Sequence, residues 1–281
     1  MTTAATPSRR IFAFLAIALP LGFAYGVVVL GLARQWAEDA NYAHGFAVVP
    51  MAAWLAYRRR DRFRAHAQAP DAVGFALFAA GAIAYLTGVA AAELFTTRVS
   101  LVLIVGALLW ALHGRARARA MAFPILFLLC MIPLPYVLYY QLTFPLQVES
   151  SRCAASLLTA AGMPVVREGN ILNLEGYSLE VVSACSGLRS IMTLATLALF
   201  LTDFTRLSRP SKLILVAASV PVAVAANVAR LAMTAGIAAI RGPAAAESFL
   251  HDLSGLVVFI TGLVALFVIG KGLEWIERAR S

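Results

Sequence analysis

Charge, cysteine and histidine are all scarce in this chain. Only 13% of its 281 residues are Asp, Glu, Lys or Arg, against about 25% in an ordinary soluble domain, which excludes a water-soluble globular class. The three cysteines, Cys130, Cys153 and Cys185, form no C-x-x-C pair, and the four histidines, His44, His66, His113 and His251, are scattered. That spacing excludes a structural zinc site, and no metal or cofactor is expected. Internal repeats, linkers and low-complexity tracts are missing as well, so a single domain over 1–281 is expected. The net charge of +9 comes without a basic helix or an interleaved aromatic stripe, and nucleic acid is not an expected partner.

What is abundant is apolar sequence: 61% of residues are hydrophobic and the mean hydropathy is +0.83. These residues fall in long runs rather than in alternation, which makes the chain an all-α polytopic membrane protein. The run Ile11 to Ala33 has no small-residue cleavage site behind it and reads as a retained span. Short basic clusters alternate with the apolar runs: Arg9-Arg10, Arg58 to Arg64, Arg115 to Arg119, Arg206 to Lys212, and the tail from Lys271. Held on the cytoplasmic side, they require about eight transmembrane helices. The spans fall at Ile11 to Ala33, within Asn41 to Tyr57, and at Val73 to Ala92, Val99 to Leu112, Met121 to Leu142, Leu188 to Thr202, Leu213 to Ile240 and Leu256 to Ile269. Pro133 and Pro135 mark the fifth as one that can be broken near its outer end. Before the sixth span, residues 142–184 form an extracytoplasmic insertion: a helix over Pro145 to Ala161 closed by Gly162 and Pro164, then a small β-hairpin turning at Glu175-Gly176.

This threading brings chemically useful groups to one membrane face. Cys185 stands where the hairpin gives way to the sixth span, followed by Ser186 and, one turn on, Arg189. A helix N-terminus and a nearby guanidinium both favour a thiolate. Burial as a small hydrophobe, or a disulfide with Cys153, are the alternatives for that thiol. Arg230 lies inside the seventh span, about 15 Å from its outer end at helical rise unless the helix stops at Gly236. Charge at such depth marks a functional site by default, although pairing with an acid for assembly would also account for it. Asn227 and Thr234 share its helix face. His251 precedes the eighth span, and Asp252 either orients the imidazole or caps the helix. Tyr42 and His44, in Asn41-Tyr42-Ala43-His44-Gly45, fall on the same outer face as candidate substrate contacts. A nucleophile, a proton carrier and an oxyanion donor together suit acyl transfer through a thiol.

The block Ala184-Cys185-Ser186-Gly187-Leu188-Arg189-Ser190, with Asn227-Val228-Ala229-Arg230 and His251 downstream, resembles the exosortase/archaeosortase family, the bacterial exosortases most. The likeness extends to Asn41 to Gly45, Pro133-Leu134-Pro135, and Gly162 to Val165 through Gly169-Asn170. Ala43 departs from it, standing where a hydroxyl residue is expected. The resemblance implies a sortase-like membrane cysteine peptidase and transpeptidase acting at the outer face of the bacterial inner membrane. Its substrates would be membrane-anchored proteins with a C-terminal Pro-Glu-Pro type sorting signal, cleaved through a thioester and passed to a lipid or glycan acceptor. Carried over, Cys185 is the nucleophile, Arg230 the oxyanion or thiolate stabiliser and His251 the general acid and base. Arg189, Ser186, Asn227, Asp252, Tyr42 and His44 are supporting or substrate-binding residues. Two other classes fit the same spans: a small transporter with Arg230 and His251 along an ion pathway, and a non-catalytic assembly factor for exopolysaccharide export.

Overall fold

A computed structural model describes residues 7–66, 70–175, 177–181, 187–242, 244–246 and 254–280, without the side chains of 7–18 and 254. The elements in chain order are α1 (Pro7–Glu38), α2 (Gly45–Arg58), α3 (Arg60–Ala65), α4 (Ala72–Ala90), α5 (Leu94–His113) and α6 (Arg115–Phe127). After a 3-10 turn at Leu128–Met131 come α7 (Tyr136–Ala160), β1 (Val165–Glu168), β2 (Ile171–Leu174), β3 (Tyr177–Glu180), α8 (Leu188–Leu201), α9 (Arg209–Arg241) and α10 (Ser254–Arg280).

Among the described residues, four helices are long and apolar enough to cross a membrane: α4, α5, α9, and Gly255–Arg280 of α10. A fifth span results if Arg115–Met131 and Tyr136–Ala160, bent by 76° at their junction, are taken as one. The bend sits at Ile132-Pro133-Leu134-Pro135. Each proline removes a backbone donor and crowds the preceding turn. The expected fifth span is therefore two helices, and the insertion helix begins at Tyr136 rather than Pro145. Elsewhere the helices outrun the apolar runs that predict them. The fourth expected span gains a turn at its start, and the eighth extends to Arg280, because Thr, Arg and Lys at span ends continue a helix without being apolar. The span expected at Leu188 to Thr202 is a helix of only 14 residues.

The chain's contacts gather into two compact units, Met1–Pro133 and Leu134–Ser281. In the first, α4 and α5 are the most closely packed pair. Gly74, Gly81 and Gly88 recur every seven residues on α4 and make its buried face, a seam of small residues that lets two membrane helices approach closely. A Cβ on Gly74 would come within 2.1 Å of Ala111 N, and one on Gly88 within 2.4 Å of Thr97 Oγ1. The pair is also clamped at one end. The Asp71 carboxylate caps α4 by accepting from Val73 N at 3.0 Å, and accepts from Trp110 Nε1 of α5 at 2.8 Å. Both bonds favour the ionised form and hold its pKa below the ordinary carboxylate value.

The second unit sets a small sheet against two helices. The strands form an antiparallel meander in the order β1-β2-β3, so the expected hairpin between β2 and β3 is present with one more strand added outside it. The register Glu168↔Ile171 leaves Gly169-Asn170 as a two-residue turn. Gly169 at φ +60 supplies the left-handed first position that a type II′ turn requires. The turn expected at Glu175-Gly176 includes Gly176, outside the described residues. Leu172, Leu174, Leu179 and Val181 point to one face and form a core with Ala154 and Leu158 of α7 and Val228, Leu231 and Ala235 of α9. A second core joins α8, α9 and α10 through Leu194, Ala198, Leu215, Ala223 and Leu266.

Candidate functional site

The chain leaves the sheet at a fixed point. Val181 is fully buried, its N–H donates to Asn170 O at 2.9 Å, and its carbonyl accepts from Asn170 Nδ2 at 3.2 Å. It re-enters the described structure at Gly187, which holds φ +84 at the N-cap of α8. Cys185 and Ser186 lie between these points, outside the described residues, as do His251 and Asp252 before α10.

Gly187 abuts Asn227 of α9. A Cβ added to it would lie 3.2 Å from both Cβ and Cγ of Asn227, and the left-handed backbone disfavours any side chain there. Asn227 is fully buried and uses both ends of its amide. Its Oδ1 accepts from Arg230 Nη2 at 2.8 Å, while Nδ2 donates to Ser150 Oγ of α7 at 3.5 Å. One amide thus ties together α7, the entry to α8 and the Arg230 guanidinium.

Arg230 is half-buried on a helix that continues unbroken through Gly236 to Arg241. Its depth from the helix end at Arg241 is therefore about 16 Å, close to the larger of the two expected values. The Asn227 bond is charge-assisted and aims the guanidinium toward the Gly187 side. Thr234, one turn further, is fully buried, and its Oγ1 meets no hydrogen-bond partner among the described residues. The flanking residues Val228, Leu231 and Ala235 carry the sheet. The polar face of α9 and the face that seats β3 are thus adjacent on one stretch of helix. Arg189 sits in the first turn of α8, half-buried, and its carbonyl accepts from Thr193 Oγ1 at 2.9 Å. Cys153 is exposed on α7, and Cys130 is half-buried in the 3-10 turn of the first unit.

Tyr42 and His44 belong to the first unit. Tyr42 is buried, and His44 caps the start of α2 with Nε2 donating to Cys130 O at 3.2 Å. Burial pushes the imidazole pKa below its ordinary value, against the pull of the Cys130 and Asn41 backbones. Gly45 leaves room for the Trp36 ring, whose Nε1 donates to Met131 O at 2.9 Å. The Tyr-x-His-Gly segment is therefore a packed turn that joins α1 and α2 to the 3-10 turn.

Two residues of interest escape the sequence reading. Ser150 is hidden because nothing in Glu149-Ser150-Ser151-Arg152 distinguishes a buried hydroxyl from an exposed one. Arg98 is hidden because the fourth span, begun at Val99, leaves it in a loop, whereas it lies one turn inside α5 and is buried. Carrying the apolar run back to Leu94 would have exposed it as an intramembrane cation.

Neither a curated protein nor a solved structure matches this sequence. The sequence model described as transmembrane exosortase matches residues 36–268, a stretch that includes the Asn227–Arg230 cluster and most of both units. Together with the apolar helices, that match makes this an integral membrane protein, and the chain belongs to the transmembrane exosortase family.

Proposed function

We propose that the chain is a thiol peptidase and transpeptidase that processes C-terminal sorting signals of membrane-anchored proteins at the outer face of the bacterial inner membrane. One observation carries this reading. Arg230, deep in an apolar helix, is held by Asn227, and Asn227 touches Gly187. In the chain, Gly187 is two residues on from Cys185. A guanidinium so placed is suited to an oxyanion or a thiolate, and its environment is one in which such stabilisation is strong.

In the proposed reaction Cys185 and His251 start as thiolate and imidazolium. The thiolate adds to the scissile carbonyl carbon, and the oxyanion takes hydrogen bonds from Arg230. As the intermediate collapses the C–N bond breaks, His251 gives its proton to the leaving amine, and a thioester remains on Cys185. The neutral imidazole then removes a proton from the incoming water, amine-bearing lipid or glycan precursor. That nucleophile attacks the thioester, releases the acyl group and returns the thiolate. Asn227 orients Arg230, Arg189 and Ser186 support the thiolate, and Asp252 orients His251.

The eight-span threading, with the β-meander outside, is part of the proposal. α1, with Phe23, Val27 and Leu30 exposed, α2, α8 and the bent pair of α6 and α7 supply the crossings beyond α4, α5, α9 and α10. Co-expression of a candidate substrate with the wild type or with Cys185→Ala tests the reading. Cleavage just before the substrate's transmembrane helix should vanish in the variant while the variant remains in the membrane. Unchanged cleavage would remove the proposal.

A further inference from the structure

The first unit contains a groove that takes no part in the proposed chemistry. It encloses about 1010 Å³ between α1, the end of α4 and the start of α5. Its lining changes in order along α1. Phe23, Val27 and Gly31 form an apolar wall, Arg34 comes next, and Glu38 and Asp39 stand at the mouth. From Phe23 to Glu38 the distance is about 22 Å at helical rise, close to the length of an extended acyl chain with its headgroup.

Arg98, one turn into α5, lines the same groove as Arg34. It is only 7% exposed, and among the described residues its guanidinium makes no hydrogen bond or ion pair. Glu93 attracts it electrostatically, but the same carboxylate also accepts from Phe95 N at 2.9 Å and Thr96 N at 2.6 Å to cap α5. A buried cation near a membrane helix end whose neighbouring acid is shared with a helix cap is only partly compensated, and an anion entering the groove lowers that cost.

We infer that this groove seats an aminophospholipid, with its phosphate between Arg34 and Arg98, its ammonium at Glu38 and Asp39, and an acyl chain along Phe23, Val27 and Gly31. The order of the lining carries the identification. The two cations lie one turn inside the ends of α1 and α5, and the two acids lie at the end of α1. A phospholipid likewise presents acyl chain, then phosphate, then ammonium on passing outward. Two carboxylates beside two guanidinium groups favour a zwitterion over a purely anionic headgroup. The primary ammonium of ethanolamine can donate hydrogen bonds to those carboxylates, which choline cannot.

Native mass spectrometry of the delipidated full chain, titrated with phosphatidylethanolamine, phosphatidylglycerol or phosphatidylcholine, tests the inference. Phosphatidylethanolamine should bind tightest, and Arg98→Gln should weaken it about tenfold by removing a charge-assisted contact. Glu38→Gln combined with Asp39→Asn should erase the preference over phosphatidylglycerol. Gly31→Leu offers an independent route, since a Cβ at Gly31 meets nothing within 4 Å and the added side chain fills the groove without touching Arg98. It should abolish the adduct with thermal stability unchanged, and it decides the matter if Arg98→Gln does not fold. Equal binding of all three lipids, or binding unaffected by Gly31→Leu, would overturn the assignment.

Discussion

Asn227→Ala is the most informative perturbation of the site short of the proposed nucleophile. It removes the 2.8 Å acceptor of Arg230, the 3.5 Å contact to Ser150 and the surface against which Gly187 rests. The first is a hydrogen bond to a charged group, worth about 1.5 to 3 kcal/mol. The second is long and between neutral groups, and contributes less than about 1 kcal/mol. If Arg230 acts on the reacting carbonyl only when aimed by Asn227, processing in Asn227→Ala should fall about 10- to 150-fold. Ser150→Ala, which breaks the far end of the same amide, should lose no more than about fivefold. Single-turnover cleavage of a peptide substrate in detergent would measure both, and thermal unfolding would report the stability lost at this buried position. A double-mutant cycle completes the test. Adding Asn227→Ala to Arg230→Ala should cost little more processing than Arg230→Ala alone, because both act through one contact. Full additivity, or wild-type processing in Asn227→Ala, would refute the idea that Asn227 positions Arg230.

Three further outcomes are expected. Gly187→Ala should slow processing and lower the thermal midpoint, since left-handed backbone at an alanine costs about 1 to 2 kcal/mol before the contact with Asn227 is counted. Gly74→Ala or Gly88→Ala should destabilise the first unit by about 1 to 3 kcal/mol, because each new methyl meets fixed backbone. Gly81→Ala meets the Ile104 side chain at 3.0 Å and its backbone only at 3.6 Å, and should cost less in the same unfolding assay. For His44 the half-buried imidazole titrates below its ordinary value of 6.5. Its contribution to stability is complete above that value and is lost as pH falls below it, because the unfolded chain then binds the extra proton. The drop in thermal midpoint between about pH 7 and about pH 5 should therefore be smaller in His44→Gln than in the wild type.

Much of this architecture is legible in the sequence because membrane helices announce themselves by apolar length. The meander is legible because Leu172, Leu174, Leu179 and Val181 alternate at strand period and all turn out buried on one face. The break at Pro133-Leu134-Pro135 follows from proline chemistry alone. What hydropathy cannot locate is where a helix stops, since Arg98 continues α5 as well as a leucine does, and its misplacement concealed a buried cation. The third strand is also hidden: β1 is short, half of it is exposed, and only the Gly169-Asn170 turn signals it. At the site, the face shared by Asn227, Arg230 and Thr234 follows from spacing on one helix. The contact between Gly187 and Asn227 does not, because it joins positions forty residues apart whose proximity depends on how α8 packs on α9.

The central claim is that a thioester forms on Cys185 beside Arg230. The most direct measurement is intact-protein and peptide mass spectrometry of the enzyme mixed with a substrate peptide and quenched with acid in the first turnover. The account predicts an acyl adduct on the peptide containing Cys185, lost on treatment with hydroxylamine, absent in Cys185→Ala and strongly reduced in Arg230→Ala. Substrate cleaved at the wild-type rate by Cys185→Ala, with the acyl group found on another residue or on none, would contradict it.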